Sequence, residues 1–440
     1  KRQVNLSEKT YTLRIIMEED VSDLDEVTVI GYGERNKREI VSSVSSVKAD
    51  EIKEIPTSNF TSLLQGRMAG VQVTSQSGSP GGGGNFVAVR GYNSLMVDGA
   101  SDGQPLYVID GVPMHSFTSP VTGTNALAEL DPNTIASVEV LKDAAAAAIY
   151  GSRAGNGVIL ITTKKGKIGK AAFSANISYS ASIMPRFPLQ LGGREERWWR
   201  ILQMRNTRKA EYDYDTKVSY YPQSYREAYE KGGQYDAFWN AGELVETNYP
   251  LQDSLNPFYN NQTNWWKQVF RTGKVVNANI QASGGKQGFR YMVGMGYYTE
   301  NGIMYGSDFK RANFIANLSL QPAKRINFDT RFYLAYSDKS RNTKNNSFQQ
   351  AQSIESMTAD PMKTQTLLPA GGAVEEQILE QLNGTVSRDD SYRMMLNAML
   401  GVDIIRGLQF TASLGLDFSQ NNTNVFEPSY LSNQGENKST

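Results

Sequence analysis

From Phe173 onward the chain alternates between apolar and polar positions. Phe173, Ala175, Ile177, Tyr179 and Ala181 are separated by Ser174, Asn176, Ser178, Ser180 and Ser182. A repeat of two places the apolar set on one face of a β-strand and the polar set on the other. The pattern returns at Val276–Ala282, more loosely at Phe289–Thr299, and then at Ala312–Leu320, Ile326–Leu334, Tyr392–Val402 and Leu408–Phe418. That predicts seven strands. Short connections near Ser283–Gly288, at Gln321–Lys324 and at Arg406-Gly407 alternate with long ones at Met184–Lys274, Glu300–Asp308 and Asp338–Asp390. A soluble sandwich also alternates residues along its strands, but it has no general reason to put every long connection at one end. An outer-membrane barrel does, with short turns on one side and long loops on the other. Tyr297, Tyr298, Tyr305, Tyr333 and Tyr336 fall near strand ends, as an interfacial aromatic girdle requires.

The first 170 or so residues follow a different pattern, one of short apolar runs punctuated by glycine. Tyr11–Met17 and Asp25–Gly33 each hold a short extended run. Asn59–Met68 puts Phe60, Leu63, Leu64 and Met68 on one face of a short amphipathic helix, and Val71–Thr74 resumes as strand. Ser77–Asn85 is too glycine-rich for regular structure, and no Gly-Lys-Ser/Thr follows to make it a phosphate loop. Phe86–Arg90 and Leu106–Ile109 read as strands, with a turn at Asp110-Gly111 and Val112-Pro113. Val138–Leu141 is a buried strand, and Asp143 caps a short helix over Ala144–Ile149. Glycines at 151, 155 and 157 end it, and Gly157–Thr163 forms a second buried strand closed by Lys164, Lys165 and Lys167. These elements make a small mixed α/β domain.

Composition narrows the function. Lys+Arg and Asp+Glu are both 45 in 440 residues, so net charge is zero and no electrostatic grip on nucleic acid is expected. Cysteine is absent, which removes disulfides, thiolate metal sites and cysteine nucleophiles. Mean hydropathy is −0.46 and no run of 18 apolar residues exists, which excludes a helical membrane protein but not a barrel, where only alternate residues meet lipid. No secretory leader is seen, so the sequence reads as mature or trimmed.

Candidate chemistry is sparse. Asp98 and Asp102 miss the EF-hand spacing and read as a solvated turn. His115 is the sole histidine and lacks neighbouring partners for a metal site or triad, which leaves a surface, packing or ligand contact. Glu195-Glu196 and Asp389-Asp390 are the carboxylate pairs that a glycoside hydrolase would need. Adjacent strand residues point to opposite faces and charge pairs in polar loops are usually solvated, which discounts both pairs; no catalytic residue, metal or cofactor is expected. All five tryptophans, Trp198, Trp199, Trp239, Trp265 and Trp266, sit in the first long loop with many tyrosines. They read first as that loop's own core and second as a ligand surface.

Leu141–Lys167 (LKDAAAAAIYGSRAGNGVILITTKKGK) closely resembles the end of the plug domain in SusC-like TonB-dependent outer-membrane transporters. Leu24–Gly33, Leu64–Val73, Val89–Gly91, Pro105–Pro113 and Asn264–Gly273 match further family motifs in the family's order. The resemblance implies an antiparallel membrane β-barrel of about 22 strands when complete, of which this chain would hold about seven, with a small α/β plug in its lumen. Seven strands do not close, and open edges in lipid would leave backbone groups unpaired, so an N-terminal part of a larger barrel is expected. The expected divisions are 1–24, the tail of an upstream domain; 25–33, the Ton box segment; 34–166, the plug; and 167–440, barrel strands with long extracellular loops.

On its residues alone Asp25–Gly33 would be an edge strand. The resemblance makes Asp25, Glu26, Val27, Thr28, Val29 and Ile30 the Ton box, captured by TonB through strand addition. It also implies active import at the outer membrane of a Gram-negative bacterium, of an oligosaccharide or else a peptide. A SusD-like surface lipoprotein would form the lid, in a dimer of transporter–lipoprotein pairs. Expected ligand contacts are Tyr92, Asn93, His115 and Phe117 of the plug, with Trp198 and Trp239 of the first long loop. A soluble glycan-binding or adhesion protein is the competing class, and it requires the apolar strand faces to be buried against a second sheet.

Overall fold

The computed structural model describes residues 27–30, 33–36, 44–48, 57–75, 78–81, 85–91, 104–114, 126–143, 147–184, 192–193, 195–196, 199, 211–213, 218–220, 262–341, 386–405, 407–427, 429 and 438–439. The strands in chain order are β1 (Val27–Ile30), β2 (Gly33–Asn36), β3 (Val44–Lys48), β4 (Val71–Ser75), β5 (Asn85–Val89), β6 (Leu106–Ile109), β7 (Val112–Met114), β8 (Ile135–Leu141), β9 (Val158–Thr163) and β10 (Gly169–Ser182). After β11 (Glu211–Asp213) and β12 (Val218–Tyr220) come β13 (Gly273–Lys286), β14 (Phe289–Asn301), β15 (Asp308–Ala323), β16 (Ile326–Arg341), β17 (Val386–Ile405), β18 (Leu408–Glu427) and β19 (Lys438–Ser439).

The N-terminal unit is built on a sheet of order β3-β8-β9-β6-β7, antiparallel except where β6 runs alongside β9. Its central strands are IASVEVL and VILITT. β-Branched residues suit a pleat covered on both faces, and Ile135, Val138, Val140, Val158, Ile159 and Ile161 are buried. β4 and β5 form a separate antiparallel pair. The predicted helix at 59–68 is a 3₁₀ turn, Phe60–Leu64, capped by Asn59, whose side chain accepts from Thr61 N at 3.0 Å. Its Phe60, Leu63 and Leu64 are buried, as the pattern required. Ala148–Ala154 is likewise 3₁₀, kinked at Gly151; residues 144–146 lie outside the described set. Val112-Pro113 does not belong to a turn. Asp110 and Gly111, at φ 50° and 87°, complete the reversal by themselves, and Val112 pairs back onto Ile109 as β7.

The second unit is one antiparallel sheet, β10-β13-β14-β15-β16-β17-β18-β19, in which every strand pairs with its neighbour in that order. Its two faces differ. Phe173, Ile177, Ile280, Met295, Leu334, Leu414 and Phe418 are exposed, Phe173 by 80%. Asn279, Arg311, Asn313, Asn317, Arg393 and Asn397, from the opposite face, are buried under the N-terminal unit. The apolar face therefore has no second sheet on it, and burial belongs to the polar face. A membrane barrel wall surrounding a plug has that arrangement; a water-soluble sandwich reverses it. The girdle expectation needs correction at Tyr298 and Tyr333, which are buried at 2% and 5% exposure on the inner face. Their even and odd positions put them in register with the polar set. Tyr297 and Tyr336 face outward, and Tyr336 packs on Tyr392 with ring centroids 4.8 Å apart.

Candidate functional site

The plug meets the wall along Ala128–Asn133 and at the β6–β7 turn. Asp131 caps the 3₁₀ turn Pro132–Thr134, its Oδ1 accepting from Asn133 N at 3.0 Å. The residues just before that turn, Ala128–Asp131, face β15, β16 and β17. Arg311 of β15 is 1% exposed. Its Nη1 donates to the carbonyls of Ala128 (2.7 Å), Ser58 (2.9 Å) and Leu130 (3.2 Å), and its Nη2 lies 3.4 Å from Asp131 Oδ1. The guanidinium also sits 5.4 Å from the centroid of the Tyr298 ring, a cation–π distance. Tyr333 of β16 donates to the Glu129 carbonyl at 2.6 Å and accepts from Asp131 N at 3.0 Å.

Arg393 of β17 carries the third contact. Its Nη1 is 3.1 Å from Glu129 Oε2, while Nε and Nη2 hold Asp417 of β18 through both carboxylate oxygens at 2.9 and 2.7 Å. Ser391 donates to Glu129 Oε1. Burial raises the Glu129 carboxyl above its ordinary range, and the Arg393 cation opposes that.

At the β6–β7 turn, Asp110 joins two strands of the plug to the wall. Its carboxylate accepts from Thr163 N (2.9 Å) and Thr163 Oγ1 (2.6 Å) and pairs with Arg331 of β16 at 2.6 Å. Asn397 donates to the Asp110 carbonyl, and Asn317 donates to Lys164 O at 2.6 Å. Asp110, Glu129 and Asp131 of the plug thus each face a wall arginine. Two glycines permit the close approach. A Cβ on Gly296 would stand 2.6 Å from Asp131 Oδ2, and one on Gly415 would stand 2.7 Å from Val112 Cγ2.

Tyr333→Phe tests one of these contacts in isolation. It keeps the ring and leaves the Glu129 carbonyl and the Asp131 amide buried without a partner. Plug docking is expected to weaken by about 1–3 kcal/mol, read as faster proteolysis of the plug with the barrel intact.

A second junction lies toward the loops. Trp265–Val269 is a short helix capped by Asn264. Trp265, Trp266 and Phe270 are buried, and Trp266 stacks on Phe270 at 5.6 Å, so these tryptophans are structural. Arg271 grips the β14–β15 connection through Gly302 O (3.0 Å) and Asp308 (2.7 Å). That connection touches the plug: a Cβ on Gly302 would stand 3.1 Å from Pro80, and Gly81 closes on Phe309.

Of the residues expected to act, Val27–Ile30 form β1, paired antiparallel with Gly33–Asn36 in a hairpin. Asp25, Glu26, Tyr92, Asn93, His115, Phe117, Trp198 and Trp239, and with them Asp98 and Asp102, lie outside the described residues. Asp389 and Asp390 diverge, Asp389 accepting from Thr423 at 2.7 Å and Asp390 from Tyr336 at 3.2 Å. Among the described residues no three His, Cys, Asp or Glu side chains group to hold a metal. The sequence reading passed over Arg311, Arg393, Glu129, Asp110 and Asp131. A usable signal existed for the arginines: each occupies the polar register of its strand, in step with Asn313 and Asn397.

A polar plug seam inside an outward-apolar antiparallel wall defines a plugged outer-membrane barrel. Residues 36–158 match the family described as TonB-dependent Receptor Plug Domain. The TonB-dependent receptor SusC of Bacteroides thetaiotaomicron is 34% identical over 312 residues, 71% of this chain and 26% of that protein. TonB-dependent receptor P3 of Formosa agariphila is 29% identical over 438 residues, 95% of this chain and 36% of that protein. The RagAB peptide importer in its closed-closed state is 25% identical with a TM-score of 0.65, covering 89% of this chain and 42% of that one. These matches support a SusC-like TonB-dependent receptor of the Gram-negative outer membrane, of which this chain carries the plug and adjoining barrel strands. It spans about a quarter to a third of the length of the curated relatives it matches. Those relatives are receptors rather than enzymes.

Proposed function

We propose that the protein imports a nutrient oligomer across the outer membrane, with energy delivered through TonB and without a catalytic site or cofactor of its own. The carrying observation is the seam, in which Arg311, Arg331 and Arg393 of the wall meet Asp131, Asp110 and Glu129 of the plug. Such a stopper blocks a pore at rest and yields only to work done on it. Residues 1–24 are the tail of an upstream domain, 25–33 the Ton box segment, 34–166 the plug, and 167–440 barrel strands and loops. Asp25–Ile30 is the handle for TonB. A four-residue hairpin is a weak claim on that strand, so exchange for a TonB strand is feasible. A SusD-like lipoprotein closes the outer mouth, in a dimer of transporter–lipoprotein pairs. Tyr92, Asn93, His115, Phe117, Trp198 and Trp239 contact the ligand there.

An oligosaccharide is the first substrate class, as the family resemblance implies. Peptide is the second reading, favoured by likeness to the RagAB peptide importer. Deletion of Asp25–Ile30 is expected to abolish uptake in cells while surface binding of the nutrient persists. Uptake that continues at the original rate removes the Ton box assignment.

A further inference from the structure

The wall residues that hold the plug amount, taken without it, to a surface that reads peptide. What they hold is Glu129-Leu130-Asp131, an acidic tripeptide. Tyr333 satisfies a carbonyl and an amide two residues apart, at 2.6 and 3.0 Å. Arg311 takes the carbonyls on either side of Glu129, at Ala128 and Leu130. The two carboxylates meet Arg393 and Arg311. Most of these contacts go to backbone that any peptide carries, and the remainder go to acid groups. The three readers stand on adjacent strands, β15, β16 and β17, and all are buried by the plug. A narrow cavity lies beside them, where Arg331 and Asn397 of the wall meet Asp110 and Thr163 of the plug among apolar side chains.

We propose that this patch is a transit subsite for acidic peptides, filled at rest by the plug's own Glu129-Leu130-Asp131 as an internal competitor. The proposal rests on the import reading, in which the plug leaves this part of the lumen. When it does, Arg311 and Arg331 lose the carboxylates that pair with them, while Arg393 keeps Asp417. Guanidinium groups left in a confined lumen attract carboxylates. A saccharide chain brings no amide and carbonyl at the spacing that Tyr333 spans, so this patch favours the second substrate reading, peptide.

The test uses the full-length transporter in detergent and needs no TonB, so it can fail independently of the import assay. Glu129→Gln with Asp131→Asn loosens the plug's hold, and retained heat-modifiable gel mobility shows a folded barrel. The probe is a labelled peptide copying Ala126–Thr134, compared by anisotropy with the same peptide bearing Gln and Asn at the two acidic positions, and with an oligogalacturonate. The acidic peptide is expected to bind the double variant at least about tenfold tighter than the neutral one, and adding Arg311→Gln together with Arg393→Gln should erase that preference. In the unmutated protein, excess acidic peptide should speed plug proteolysis where the neutral one does not. Equal binding of both peptides, no binding of either to the folded variant, or preference for the oligogalacturonate overturns the proposal.

Discussion

Arg311→Met is expected to unseat the plug more than any other single change in the wall. The substitution keeps much of the side chain's length and apolar contact but removes every donor. The carbonyls of Ser58, Ala128 and Leu130 and the carboxylate of Asp131 all lose their wall partner at once. Removing one member of a buried ion pair leaves the other uncompensated and costs about 3–5 kcal/mol. With about 1.4 kcal/mol per factor of ten, the unseated fraction should rise by about two to three and a half orders of magnitude. It would be measured as protease cleavage within the plug, and in cells as entry of large antibiotics that the intact barrel excludes. Arg311→Lys keeps the charge without the planar fork and should fall between the two. A plug as protected as in the parent protein would mean that the seam is not what holds it.

Ile280→Arg separates a membrane wall from a water-exposed one. Ile280 is 62% exposed at the middle of β13, flanked across the sheet by Ala175 and Met295. On a protein surface in water such a change stays within about 0.5 kcal/mol of neutral. Facing the centre of a bilayer it costs about 2–4 kcal/mol. The measurement is denaturant unfolding of the protein folded into lipid vesicles. Ser180→Arg is the control, placed on β10 in the polar register that faces inward, and it should cost far less. If the two substitutions cost the same, the apolar face does not meet lipid.

The barrel strands were legible because alternation is a local property. Phe173–Ser182 or Leu408–Phe418 announces both a strand and its two faces without reference to anything distant, since each residue's side follows from its parity. Connection lengths supplied the polarity of the arrangement: β13 joins β14 through Gln287-Gly288, at the end of the wall opposite the longer β14–β15 connection. The plug was less legible. Its helices came out as 3₁₀ turns, because segments of five and seven residues pinned between strands have too few backbone bonds to sustain an α-helix.

What the sequence determined by itself was the class: a short-stranded α/β unit followed by an amphipathic antiparallel wall, with the motifs of the plug family in order. Tertiary structure alone decided which charges meet. Arg311 and Asp131 are 180 residues apart, and Arg393 and Glu129 are 264 apart. An arginine in an inward register is in itself only a polar residue on the polar face. Its partner is set by the curvature of the sheet and by where the plug's turns come to rest against it. Those depend on the packing of whole units, and no window of local sequence records them.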